Sequence, residues 1–414
     1  MSSHDSSSYN ARASHARAVG GLSRRAFLEV GGLLGLGLVG LAEGGVRALA
    51  ADSAAADAAP AKNYGKFDIP GKNGSLCNAP AYIAYDQGFF KEEGFDINLV
   101  TADFETRKVG LNNGNIPIVN GDFQFFPSME NGINARVVDG LNYGCIKLEV
   151  LPDSDIKTAA DLKGKKIGVD EIGGTPYQIA ALWLEQAGIS SDPAKGEVQF
   201  LPFNDANLEF QALTSKQIDV AALWDPVASI KEKSGEGKVI LDIGKDEPFA
   251  SKYCCFLFGS AKWLDEDRER AAALLRAYHK AQDWIAKNPE EAAKIIAEKQ
   301  YSAITDQDLA VQLLKGYKYP TLEDRAAGKS QFENDVKYFA DELQKANLLQ
   351  ENGEDFSKNQ VVVLDTGDDA NAAANATTGE VSGFVASSAK DAAASSAKEK
   401  KAASSADASS SAHH

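Results

Sequence analysis

The amino-acid sequence predicts an α/β protein, because strand-like and helix-like segments alternate along most of the chain. Hydrophobic residues alternate with polar ones at 95–99, directly after a helical stretch at 79–91, and a strand pattern at 165–170 leads straight into a helix. Further strand patterns lie at 197–201, 218–223, 238–243 and 254–258. Such alternation is typical of parallel sheets that carry helices on their faces.

The most strongly marked helix is predicted over residues 176–187. Thr175 stands at its N-cap position, Pro176 at its first position, Gln178 completes a capping box, and Gly188 follows its last residue. Helical periodicity then dominates the later part of the chain, at 268–287, 306–316 and 331–346. The last two patterns have no strand left to pair with, so we expect extra C-terminal helices that pack on an existing part of the fold.

Length and charge narrow the classes of protein to consider. The chain has 414 residues, of which 44% are hydrophobic, so it can bury more core than one typical domain. Its formal net charge of −16 argues against nucleic acid and anionic membrane surfaces as partners, because like charges repel at long range.

The N-terminus resembles a twin-arginine export signal. Arg24-Arg25 precedes an apolar run at 30–42, and Ala48-Leu49-Ala50 has the form of a cleavage site. The apolar run is too short for a transmembrane helix, which needs ~20 residues. We therefore predict a cleaved signal peptide at 1–50, a flexible leader at 51–62, and a protein exported to the periplasm or another extracytoplasmic space.

The C-terminal residues 351–414 are predicted to form a disordered tail. They are rich in Ala and Ser, and Phe356 and Phe384 are their aromatic residues. A segment of this composition buries too little apolar surface to offset the entropy of ordering.

The four cysteines, Cys77, Cys145, Cys254 and Cys255, leave their pairing open. Disulfides persist in oxidising compartments, so an exported protein can contain them, but spacing alone does not decide which residues pair. Buried thiols or one disulfide are the expectation. The sequence has no C-x-x-C pair. The mature chain has one internal histidine, His279, besides the two at its C-terminal end. We therefore predict neither a metal site nor a cofactor.

A family resemblance begins near residue 78. The chain reads NAP at 78–80 and DQGFFKEEGFDI at 86–97, which resembles the opening of nitrate/sulfonate/taurine-type solute-binding proteins of ABC importers. The resemblance continues in order through 121–123, 126–128, 151–154, 161–169, 173–175, 218–220 and 224–226. It covers about 76–346, nearly all of the part that we expect to fold.

The resemblance implies a type II periplasmic binding-protein fold, in which two α/β lobes joined by crossing segments close on a ligand. We place one lobe at 63–153 plus 253–350 and the other at 154–252. It also implies a monomer that captures a small solute and delivers it to an ABC permease and its ATPase, without catalysis. Ligands of open α/β sheets bind beyond the carboxyl ends of strands, which agrees with this interpretation.

Two strand-to-helix loops are the first candidates for ligand contact. Gly173, Gly174 and Thr175 follow a strand and open a helix, so backbone N–H groups and the positive helix end would suit an anionic group. Alternatively, they form an ordinary turn with a capping threonine. Asp122 and Phe123 follow the strand pattern of the first lobe and could hold a cationic group and cover the ligand, or serve as a cap and a core residue.

Three further residues complete the candidate site. Trp224 and Asp225 end a strand, although Asp225 could instead cap the next helix, and Asn78 is either a cap or a ligand donor. Asp122, Glu171 and Asp225 would together make the pocket negative, which disfavours a bare anion. A zwitterion or a neutral heterocycle therefore stays open as the ligand.

Two alternatives to an import protein remain. The same fold family resembles thiamine-pyrimidine synthases, in which a CCCFC run and a histidine support iron-dependent chemistry. Here the corresponding run is Tyr253-Cys254-Cys255-Phe256-Leu257, which keeps two of the four cysteines, and no histidine lies near the first-lobe loops. Catalytic motifs such as G-x-S-x-G, H-E-x-x-H and the Walker loop are absent, so no catalytic residue is predicted. A ligand sensor that signals to a receptor is the other alternative.

Overall fold

The computed structural model describes residues 62–71 and 75–370. The predicted signal peptide, the leader up to residue 61 and the tail beyond residue 370 lie outside these described residues. Within them, no helix combines the length and the apolar character needed to cross a membrane.

Ten strands occur in the described residues. They are β1 Gly65–Pro70, β2 Phe95–Val100, β3 Ile118–Asp122, β4 Ala135–Tyr143, β5 Ile146–Val150, β6 Lys166–Val169, β7 Gln199–Pro202, β8 Val220–Trp224, β9 Lys238–Asp242 and β10 Tyr253–Ser260.

Fourteen α-helices accompany these strands in the same part of the chain. They are α1 Ala79–Asp86, α2 Phe89–Glu92, α3 Phe104–Asn113, α4 Phe125–Glu130, α5 Thr175–Gln186, α6 Ala206–Thr214, α7 Val227–Ser234, α8 Ala261–Glu266, α9 Arg268–Lys287, α10 Pro289–Glu298, α11 Gln307–Gly316, α12 Leu322–Ala326, α13 Glu333–Lys345 and α14 Gly353–Gln360.

The strands form three sheets with the orders β1-β2, β3-β10-β4 and β7-β6-β8-β5-β9. The first pair is parallel, as are β6-β7 and β6-β8 in the five-stranded sheet. However, β10 runs antiparallel to β3 and β4, and β5 runs antiparallel to β8 and β9. The sheets are therefore mixed rather than purely parallel. The two antiparallel strands, β5 and β10, are the ones that directly follow a passage of the chain from one lobe to the other.

The passage from the first lobe to the second lies earlier than the predicted boundary at residue 154. β4 belongs to the three-stranded sheet, whereas β5 already pairs inside the five-stranded sheet, so the chain crosses at Gly144 and Cys145. The return passage joins β9 to β10. Sequence patterning could not locate the first crossing, because β4 and β5 are both buried strands and only a short break separates them.

The two crossing segments touch at a pair of glycines. A Cβ atom added to Gly144 would lie 2.2 Å from the Cα atom of Gly244, so no larger residue fits without movement of the backbone. The first crossing segment therefore depends on glycine at residue 144, where the lobes are joined.

Residues 353–370 are ordered and packed on the first lobe, so the prediction of a disordered tail from residue 351 onward is wrong for this segment. Phe356 of α14 is fully buried, and its ring centroid lies 4.5 Å from that of Phe126. The following segment forms a bridge between Val361 and Val137, and Val362 N donates to Val137 O at 3.0 Å. The average composition of 351–414 did not predict this packing, because one phenylalanine and a short run of branched side chains are enough to hold the segment on β4.

Candidate functional site

A cleft of about 670 Å³ opens between the two lobes. The first lobe contributes Asp122 from the carboxyl end of β3, and the second contributes Asp170 after β6 and Trp224 at the end of β8. The cleft therefore lies at the carboxyl ends of strands from both lobes, where loops are free to contact a ligand.

Three of the predicted residues line this cleft: Asp122, Trp224 and Asp225. Asp122 Oδ1 accepts a hydrogen bond from the backbone N–H of Gln124 at 3.0 Å. Trp224 Nε1 donates to Asp170 Oδ2 at 2.9 Å, which fixes the indole against the wall of the second lobe. Asp225 Oδ1 accepts from both the N–H and the hydroxyl of Ser229 in the first turn of α7, but the N-cap position of this helix is Pro226 and not the predicted Asp225.

The glycine turn of the second lobe does not itself line the cleft. The N-cap of α5 is Gly174 and not the predicted Thr175, which occupies the first position of the helix. A Cβ atom on Gly174 would lie 2.6 Å from Asp170 Oδ1, so the turn packs against a carboxylate of its own lobe. Gly173 adopts a φ of +87°, which favours glycine. This surrounding carboxylate makes the turn a poor site for an anionic group.

Phe123 and Asn78 also lie outside the cleft lining. Phe123 is fully buried and stacks on Phe339 with ring centroids 4.3 Å apart. Because neighbouring side chains at a strand end point to opposite sides, Asp122 reaches the cleft while Phe123 enters the core. Asn78 is fully buried, and its Nδ2 donates to Pro70 O at 3.2 Å.

Polar side chains connect the lobes across the cleft. The Thr175 hydroxyl donates to Asp122 Oδ1, and Gln124 Nε2 donates to Glu171 Oε1. Each pair joins the first lobe to the second, so the structure shows the lobes in a closed arrangement.

Arg107 is a cleft residue that the sequence analysis missed. It lies on α3, and its Nη1 donates to Asn120 O at 2.8 Å. Its guanidinium carbon stands 5.7 Å from the centre of the Phe125 ring, and burial lowers the pKa of the arginine. The sequence signal that could have identified the helix carrying Arg107 is Asp103, a typical N-cap residue. It caps α3 by accepting a hydrogen bond from Thr106 N at 2.8 Å.

Carboxylates outnumber cations among the described residues of the cleft lining. The acidic residues are Asp103, Asp122, Asp170, Glu171 and Asp225, against the single guanidinium of Arg107. Burial raises the pKa of Asp122, of Asp170 and of Asp225 to about 6 in each case. A ligand with a cationic group would relieve this excess of negative charge.

The four cysteines come together beside this cleft. Cys77 and Cys255 are among the lining residues, and all four thiols are free and buried. The Sγ atom of Cys145 lies 3.4 Å from that of Cys255 and 3.5 Å from that of Cys254. The Sγ atoms of Cys77, Cys145 and Cys255 all lie within 4.8 Å of one another, a grouping that spacing in the sequence did not reveal.

His279 lies outside the cleft lining. It lies on α9, fully enclosed, with Nε2 at 2.6 Å from Asp139 Oδ2 and Nδ1 at 3.0 Å from Asp368 Oδ1. No histidine is found among the described residues that line the cleft.

Comparison with protein families gives a match to the family described as NMT1/THI5 like over residues 77–292. A Bacillus subtilis protein, YtlA, named as a candidate binding protein, is 25% identical over 256 residues, which cover 59% of this chain and 73% of that one. The nitrate/nitrite binding protein NrtA of Nostoc is 23% identical over 334 residues, covering 71% and 74% of the two chains. A similarly named Brucella abortus binding protein is 26% identical over 222 residues, which cover 52% of this chain and 65% of that one.

Solved structures with the same architecture include two solute-binding proteins. The alkanesulfonate-binding protein SsuA of Xanthomonas axonopodis matches with a TM-score of 0.56 at 16% identity, covering 70% of this chain and 96% of that one. The periplasmic nitrate-binding protein NrtA of Synechocystis matches with a TM-score of 0.51 at 19% identity, covering 71% and 86%. These likenesses confirm the predicted two-lobed α/β fold.

Proposed function

Since the chain belongs to the NMT1/THI5-like family, we propose that it is the extracytoplasmic solute-binding component of an ABC importer. In this role it captures a small solute between its lobes and presents it, unaltered, to a permease driven by an ATPase. One observation carries the proposal: a cleft lined by strand ends of both lobes, with Asp122 and Thr175 in direct contact across it. The names of the relatives, which are binding proteins, support it.

Closure of the lobes would be coupled to binding through differential contacts. A solute that touches both walls gains its full set of interactions only in the closed form, so it shifts the population toward that form. The glycine contact between Gly144 and Gly244 provides a narrow connection about which the lobes can rotate. The closed shape is then the one that the permease recognises, and a monomer after export suffices for this role.

The charge of the cleft points to a small zwitterion as the solute, such as an aminosulfonate or an amino acid. Asp122 and Asp170 would face its cationic group, and Arg107 would face its anionic group. A bare anion such as nitrate would meet one guanidinium among several carboxylates. This arrangement supports recognition of a zwitterion, because the cleft offers opposite charges within one lining.

Calorimetric titration of the mature protein tests this function. We expect taurine or an amino acid to bind, and nitrate and an unsubstituted alkanesulfonate to bind at least tenfold more weakly. Asp122→Asn and Arg107→Gln should each weaken binding by about tenfold to a hundredfold, since each removes a charge-assisted hydrogen bond.

Asp96→Asn is the matched control, because Asp96 is exposed on β2 outside the cleft, and it should leave the affinity unchanged. Small-angle scattering with and without saturating solute should show compaction. Conversion of the solute into a product, or tighter binding of nitrate than of every zwitterion, would contradict the proposal.

A further inference from the structure

Every cysteine of the sequence belongs to one group, which we call the thiol cluster: Cys77, Cys145, Cys254 and Cys255. Three distant segments supply it. Cys77 lies in the helical turn before α1, Cys145 in the crossing segment between the lobes, and the adjacent pair in β10. Chance burial of small apolar side chains would scatter four cysteines through two lobes, whereas here they share one spot.

An irregularity of β10 creates the closest part of the cluster. Adjacent residues of a regular strand point to opposite faces of a sheet, which would separate the two sulfur atoms. The pairing of β10 with β4 is shifted between Tyr253 and Cys255 and again between Cys255 and Phe256. This bulge places the Sγ atoms of Cys254 and Cys255 3.4 Å apart.

The distances suit a common metal ligand set. Sulfur atoms that surround a tetrahedral zinc ion at ~2.3 Å lie about 3.8 Å from one another. The contacts of Cys145 with Cys254 and Cys255 are 3.5 and 3.4 Å, so a small outward movement makes room for an ion. A disulfide requires approach to about 2.05 Å and joins sulfur atoms in pairs, whereas Cys145, Cys254 and Cys255 each contact both of the other two.

We propose that the thiol cluster is a binding site for a thiophilic cation of closed d shell, Zn²⁺ or Cu⁺, at the inner wall of the cleft. Thiolates are soft ligands that select such ions. Each cysteine that becomes a ligand releases its proton to solvent as its sulfur bonds to the metal, with no change of oxidation state. Two of the sulfurs, those of Cys77 and Cys145, come from outside the β10 pair, so the site does not depend on that short run alone.

The surroundings of the cluster support entry and retention of a cation. Cys77 and Cys255 line the cleft, so an ion can reach the sulfurs from the solute side. Asp122 and Glu171 in the same lining give the entrance a negative potential. The thiols themselves are at most 5% exposed, which protects a bound ion from water. Because Cys145 lies in the crossing segment, a bound ion would also tie that segment to β10.

Titration of the full, mature protein with Co²⁺ under reducing, anaerobic conditions tests the site directly. We expect one equivalent to bind and to produce a sulfur-to-cobalt charge-transfer absorption, which Zn²⁺ then displaces. Cys77→Ser should weaken Zn²⁺ binding at least about tenfold by removing one ligand. A variant with serine at all four positions should lose the absorption completely.

The four-serine variant keeps every histidine, so it measures any binding by histidine and serves as the matched control. Circular dichroism establishes that each variant is folded, and the cobalt spectrum of the unmodified chain decides the question even if a variant is not. The proposal is overturned if the reduced, unmodified chain binds cobalt without the sulfur absorption, or binds no more Zn²⁺ than the four-serine variant. It is equally overturned if the thiols reform disulfides and the reduced form takes up no metal.

Discussion

The carboxylates of the cleft and those around His279 are both buried, but different groups face them. In the cleft, burial raises the pKa of Asp122 and of Asp170 to about 6, and hydrogen bonds offset this only in part. Around His279, burial also opposes ionisation of Asp139 and Asp368, yet nearby cations outweigh it. The pKa of Asp139 lies below its ordinary value, and that of Asp368 falls to about 2.

The cations that make this difference are Arg325 and His279. Arg325 Nη1 lies 3.1 Å from Asp139 Oδ2 and 3.4 Å from Asp369 Oδ2. The pKa of His279 is raised above its ordinary value: burial and the charge of Arg325 lower it, but Asp139 and Asp368 outweigh them. The network therefore contains its own counter-charges and fastens the segment after α14. The described lining of the cleft has one such cation, Arg107, against five carboxylates, and we propose that a ligand supplies the missing positive charge.

Removal of Arg325 should have the largest effect on stability. Arg325→Met removes the guanidinium that pairs with buried Asp139 and Asp369, although His279 still contacts Asp139, so the free energy of unfolding should fall by about 3–5 kcal/mol. Urea denaturation at neutral pH measures it. Lys315→Met is the control, since that lysine pairs with Glu290 at the surface and should cost at most about 1 kcal/mol. Equal losses of unfolding free energy in the two variants would contradict a larger contribution of the buried network than of a surface ion pair.

Replacement of Asp368 should have a smaller, pH-dependent effect. The hydrogen bond and charge of His279 depress the pKa of Asp368 against burial, from 3.8 to about 2. A depressed carboxyl pKa stabilises the fold above the unfolded value and loses that contribution as pH falls toward 2. Asp368→Asn should therefore lower the free energy of unfolding by about 2 kcal/mol at pH ~7, and by progressively less below pH ~4.

The control for Asp368 is Asp365→Asn. Asp365 is exposed, and its Oδ1 accepts from Gly367 N at 3.0 Å, a bond that the amide oxygen of asparagine can keep. This variant should unfold as the unmodified chain does across the same pH range. A deficit for Asp368→Asn that stays constant down to pH ~3 would contradict the ionic account.

Sequence patterns were most informative where a residue acts within its own segment. The α/β class, the family resemblance and the position of Asp122 at a strand end follow from local periodicity and turn chemistry. Long-range contacts were not accessible in this way. Phe123 and Asp122 are neighbours with the same loop signal, yet Phe339, some two hundred residues later, draws one into the core. The convergence of Cys77 with Cys145 likewise depends on where the chain crosses between lobes, which periodicity did not locate.

The smallest effect we predict separates the cleft from the network by its response to mild acid. Asp122 and Asp170 take up protons as pH falls through about 6, whereas Asp368 stays ionised until about 2. Affinity for a zwitterion should be constant above pH ~7 and fall roughly tenfold by pH ~5, about 1.4 kcal/mol, because the carboxylates lose their attraction for its cationic group. Calorimetric titration over this range measures the change, and Asp122→Asn should reduce it. Affinity that instead rises in acid would indicate that the cleft holds an anion, since protonation then removes repulsion.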